Sequence, residues 1–80
     1  MTHPPPRLTR TQRQTLVLAA NGNTNSQIAR WRGVTAHSVT EVLTTTYRRL
    51  GATDRTQAVA LALRLGLIRL DEIRLVQPTR

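Results

Sequence analysis

Residues 23–51 read NTNSQIARWRGVTAHSVTEVLTTTYRRLG. Thr24 is a hydroxyl-bearing helix cap, and Gln27 follows three residues later, the spacing of a reciprocal capping box. Gly33 supplies a left-handed position that ends the helix so begun, over about Asn25 to Arg32. Thr35 caps a second, longer helix, about Ala36 to Arg49, and Gly51 closes it. A short helix, a Gly-containing turn and a longer polar-faced helix form a helix-turn-helix pattern. The rest of the chain reads as what packs against that unit.

In the longer helix Val39, Leu43, Thr46 with Tyr47, and Leu50 recur at helical spacing, so they face a core. The opposite face carries His37, Thr40, Glu41, Thr44, Thr45 and Arg48. Thr44-Thr45-Thr46 is a poor helix-forming run, because β-branched side chains lose rotamer freedom there. By pattern the polar face suits a base-pair edge and plain solvent equally well. As a base-reading surface it offers Thr methyls at Thr40 and Thr44 to thymine, and the Glu41 carboxylate to a cytosine amino group. The helix start capped by Thr35 offers amides near Ala36, His37 and Ser38 to a phosphate, with Thr35 itself a candidate contact, and Arg30, Arg32, Arg48 and Arg49 are candidate backbone clamps.

Outward from this unit, Met1 to Arg7 contains Pro4-Pro5-Pro6 and reads as a short extended arm, residues 1–7, that is solvated or touches DNA through Arg7. His3 reads as solvated. Thr9 caps a helix over about Arg10 to Ala20, with Leu16, Ala19 and Ala20 inward and Gly22 at its stop. Trp31 is expected to bury a large apolar area, with the stem of Arg32 lying along the surface. Asp54 and Gln57 form another capping box, and a further helix runs from about Arg55 to Leu65 before Gly66.

That last helix is apolar nearly all round. Ala58, Leu61, Ala62 and Leu65 fit an inward stripe, which leaves Val59, Ala60 and Leu63 outside, with Leu67 just beyond Gly66. An exposed apolar patch implies a partner, and a small domain gains stability by dimerising, so a homodimer through this helix is expected. The alternative is that Ile73, Leu75 and Val76 fold back and cover the patch. Asp71 to Val76 fits one extra turn within a partly ordered extension, residues 69–80.

Composition narrows the function. Eighty residues make one small domain. There is no cysteine, and there are four acids and two histidines, so neither a catalytic constellation nor a metal site has its ligands, and no cofactor motif occurs. The missing signal peptide, apolar span and cysteines favour the cytoplasm. The formal charge is +8 and all twelve basic residues are Arg. Such a balance favours a polyanion through counterion release, nucleic acid before membrane. Genome-wide bias toward Arg codons produces the same count.

The chain resembles the DNA-binding domain of LuxR-type (GerE-like) regulators over Leu8 to Ile68. The likeness rests on Leu8-Thr9, Gly22, Thr24-Asn25, Ile28-Ala29, Val34-Thr35, Ser38-Val39, Leu50-Gly51, Arg55, Ala58-Val59 and Gly66-Leu67-Ile68. It implies an all-α fold of four helices over residues 8–68, the third helix in the major groove of double-stranded DNA and the fourth often forming a dimer. Where the family usually carries an acidic run in the first helix, this chain has Thr11, Gln12, Arg13 and Gln14. A family Leu falls on Arg32, a Lys and a His of the recognition helix fall on Thr40 and Val42, and a frequent Ile falls on Thr46. The leading expectation is a sequence-specific, dimeric transcriptional regulator. The alternatives are a protein-interaction module that pairs with RNA polymerase or another regulator, and a charge-driven nucleic-acid binder. With no receiver or ligand-sensing domain in these residues, control is expected from abundance, a partner or oligomeric state.

Overall fold

The computed structural model describes residues 4–74; the expectations for His3, Leu75, Val76 and the last residues, 77–80, lie outside them. Four α-helices follow in order: α1 Arg10–Ala20, α2 Asn25–Arg32, α3 Ala36–Leu50 and α4 Arg55–Arg64, with a 3-10 turn at Leu70–Glu72. No strand occurs among the described residues. α3 is the central element, packed against α1, α2 and α4.

The caps explain where the helices start. Thr9 and Thr24 each accept from the N–H three residues on, while Gln12 and Gln27 reach back to the cap N–H, so both boxes close reciprocally. The box at α4 closes on one side only. Asp54 accepts from Gln57 N–H at 2.8 Å, but Gln57 Oε1 takes the N–H and hydroxyl of Thr53 rather than the cap N–H. Gly33 and Gly51 sit at φ 70° and 73°, left-handed positions that terminate α2 and α3 at little steric cost.

The core is aliphatic: Leu16, Ala19, Ile28, Ala29, Val39, Leu43, Leu50, Ala58, Ala62 and Ile68 are buried. Thr46 lies among them with its hydroxyl donating to the Val42 carbonyl at 2.7 Å, so a polar residue is tolerated in the core. Gln12, also buried, serves the α1 cap. Ala20 is only half-buried.

Three further expectations are corrected. Trp31 is 71% exposed. Ile28 and Ala29 set the inward direction of α2, and with about 3.6 residues per turn the next inward position is Arg32. Arg32 is accordingly half-buried and donates to Gln14 Oε1 at 3.1 Å, while Trp31 falls to the side.

α4 is turned relative to the expected stripe. Ala58 and Ala62 are fully buried, but Leu61 is half-exposed and Leu65 is 43% exposed. Val59, Leu63 and Leu67, expected outside, pack half-buried against the core; Ala60 is exposed as expected. The chain reverses after α4, where Leu67 N–H reaches the Ala62 carbonyl at 2.8 Å, and Ile68 enters the core beyond the bend.

The extension as far as Arg74 docks on α1, leaving the outer side of α4 uncovered by that contact. Asn21 clamps it, donating to the carbonyls of Val17 (2.8 Å) and Glu72 (3.0 Å) and accepting the N–H of Arg74 at 2.7 Å. The Glu72 carboxylate meets Arg13 at 2.5 Å. Arg69's backbone N–H, then Arg13, hold the Glu72 carboxyl below the usual glutamate range. The extra turn is therefore shorter than Asp71–Val76 over the described residues, and starts one residue earlier.

Candidate nucleic-acid interface

Four core residues on one side of α3, Val39, Leu43, Thr46 and Leu50, fix which side faces outward. On the outward side His37, Thr40, Glu41, Thr44, Thr45, Arg48 and Arg49 are all exposed. Thr35 and Ser38 serve the helix start: Thr35 Oγ1 accepts from Ser38 N–H at 3.1 Å and donates to Ser38 Oγ at 3.0 Å. Both lie at the same end as His37, where the positive end of the helix dipole favours an anion. His37 and Glu41 are one turn apart, Nε2 to Oε2 3.6 Å, both largely in solvent. A pair so exposed contributes little to stability and stays free to rearrange against a ligand.

The charge pattern is asymmetric. Of the four acids, Asp54 caps α4, Asp71 pairs with Arg69 at 3.0 Å and Glu72 pairs with Arg13. Only Glu41 lies on the outward face of α3. Arg48 is exposed at its C-terminal end, and Arg49 donates to the Arg7 carbonyl at 3.2 Å, tying the N-terminal segment to that end. Arg30 is exposed on α2, next to Trp31. Trp31 lines two surface grooves, one with Asn23, Gln27 and Arg30, the other with Val17, Leu18, Asn21, Asn23, Glu72 and Arg74.

The structure adds residues that the sequence reading passed over. Arg55, at the start of α4, donates to the Asn23 carbonyl at 2.6 Å and to Asn25 Oδ1. Asn25 donates in turn to Thr40 Oγ1 at 3.0 Å. Thr40 is thus joined to two other helices. These partners are 15 and 30 residues apart in sequence, and no local pattern announces them.

No group of three or more His, Cys, Asp or Glu residues able to hold a metal occurs among the described residues. No helix among them is long and apolar enough to cross a membrane. What the surface offers is hydroxyls, methyls, one carboxylate and guanidinium groups on a ridge that the core holds rigid. Such a surface binds by complementary edges and charge.

Comparisons with known proteins agree with this geometry. The family model for GerE, bacterial regulatory proteins of the luxR family, matches residues 6–62. No curated protein matches the chain. Eight chains of solved structures match it. One is VqmA of Vibrio cholera in a ligand–DNA complex, with a TM-score of 0.69 and 27% identity; the match covers 79% of this chain and 28% of that one. The chain therefore spans under a third of the length of that relative.

Proposed function

The chain belongs to the luxR family of bacterial regulatory proteins, a family of DNA-binding regulators rather than enzymes, and from that premise we propose that it reads a specific DNA sequence with α3 in the major groove, as a homodimer. The observation that carries the reading is the outward face of α3. It sets short polar side chains, Thr40, Glu41, Thr44 and Thr45, between a capped N-terminus and the Arg48–Arg49 pair, on a helix whose other side is buried. Short side chains admit the helix close to base edges, and the flanking arginines meet phosphates. The similarity to a protein solved on DNA supports the same use.

The homodimer reading draws support from the outer surface of α4. Ala60, Leu61 and Leu65 are exposed or half-exposed there, joined by the uncovered edges of Val59, Leu63 and Leu67. A two-fold dimer through this surface sets two recognition helices on successive major grooves, so the operator is an inverted repeat with half-sites about one helical turn apart.

Selection of duplexes from a random pool by the purified protein tests the reading. An enriched inverted repeat that survives excess random DNA is the expected result. Arg48→Ala weakens all sequences alike and lowers the salt slope by about one, whereas Thr44→Ala or Glu41→Gln changes the preferred base, by about 1–3 kcal/mol. A pool with no enriched sequence refutes it. Trp31 favours a second reading, a protein-interaction module that meets RNA polymerase or another regulator. An indole 71% exposed beside two grooves suits a protein partner. In that case Trp31→Ala abolishes the regulatory effect and leaves DNA binding untouched.

A further inference from the structure

Thr40, exposed on α3, is hydrogen-bonded to another helix. Its hydroxyl donates to the Ala36 carbonyl at 3.1 Å and accepts from Asn25 Nδ2 at 3.0 Å. Asn25 Oδ1 in turn accepts from Arg55 Nη2, and the other Arg55 terminal nitrogen holds the Asn23 carbonyl at 2.6 Å. The bonds run from α4 through α2 to α3.

Their direction is forced. Arginine has only donors, so the Asn25 amide must turn its oxygen toward Arg55. Its NH2 group then faces Thr40, and the Thr40 hydroxyl must accept. The one hydroxyl proton is left for the Ala36 carbonyl. Flipping the amide sets two donors against Arg55 and leaves the guanidinium, itself half-buried, with the Asn23 carbonyl alone of these two acceptors.

We propose that Arg55 is a positioning residue for DNA recognition: through Asn25 it fills one lone pair of the Thr40 hydroxyl and so restrains the side chain in the orientation in which the proton meets the Ala36 carbonyl, and the other lone pair and the methyl group are left for the DNA. This rests on the reading that α3 lies in the major groove. A Thr40 so committed accepts from the amino group of cytosine or adenine, or packs on a thymine methyl. With its proton on the Ala36 carbonyl it does not donate to the O6 and N7 acceptors of guanine. Arg55 thereby restricts one base pair of the operator without touching DNA.

The test is base preference rather than affinity. Partial unfolding, or the loss of one positive charge, scales binding to all sequences equally and leaves preference unchanged. Selections are run with the full chain and with Thr40→Ala, Asn25→Ala, Arg55→Gln and Arg55→Lys. Thr40→Ala marks the base pair that Thr40 reads. Asn25→Ala and Arg55→Gln remove that restraint from the hydroxyl and shift the base preference at that same pair, by about fivefold or more. Arg55→Lys, still donor-only, retains the original preference. The proposal is overturned if Asn25→Ala and Arg55→Gln leave that pair unchanged, if they alter other pairs instead, or if Arg55→Lys behaves like Arg55→Gln. A wild-type chain that selects no sequence is a different outcome: it refutes the DNA-reading function and this proposal with it.

Discussion

Thr15→Val is expected to stabilise the protein. Thr15 lies in the middle of α1 and is 1% exposed. Its hydroxyl oxygen is buried and makes no hydrogen bond, alone among the buried side-chain polar atoms of the described residues. An unsatisfied buried hydroxyl costs about 1–3 kcal/mol in desolvation. Valine keeps the branched shape and the restricted χ1, and its helix propensity is close to that of threonine, so the backbone contribution cancels. The methyl group that replaces the hydroxyl adds favourable burial, about 0.8 kcal/mol if it fits fully. A gain of about 1 kcal/mol or more follows, which for a domain of this size raises Tm by about 4–8 °C per kcal/mol. Thermal unfolding followed by circular dichroism measures it. Thr46→Val is the internal comparison. Thr46 is equally buried, but its hydroxyl donates to the Val42 carbonyl, so its loss removes a hydrogen bond and gives no gain. A Thr15→Val protein that melts at or below the wild type, or a Thr46→Val protein that gains as much, refutes the reasoning.

Two further outcomes are expected. Leu63→Glu lowers stability, because Leu63 packs on the core, whereas Leu61→Glu leaves the monomer folded and lowers the mass seen in sedimentation; a wild type that sediments as a monomer at high concentration excludes the α4 dimer. The Glu72 carboxyl is held below its usual range by the Arg69 N–H and by Arg13, so its contribution to docking the extension on α1 is fully present above the ordinary glutamate range, near pH 4.3, and is lost as pH falls through the lower folded-state value; Arg13→Ala weakens that pH dependence, as read by exchange of the Arg74 amide.

The features legible in the sequence were those made within one helical turn. The starts at Thr9, Thr24, Thr35 and Asp54 and the stops at Gly33 and Gly51 depend on contacts three or four residues apart, and the four helices followed from them. The buried side of α3 was legible because its apolar residues sit on one side only. The exposed residues on its other side follow from the same phase. α4 had no such phase: an almost wholly apolar helix fits any rotation, and only the approach of its small Ala58 and Ala62 to the core decided that Val59 and Leu63 pack while Leu61 and Leu65 face out. Trp31 was misjudged because size argues for burial, whereas the direction of a side chain is set by its angle around the helix from Ile28 and Ala29. The Asn21 clamp on the extension and the Arg55–Asn25–Thr40 connection join residues that meet only after the helices have packed. Short polar side chains have the same composition whether they bond solvent or each other, so their partners were chosen by tertiary structure.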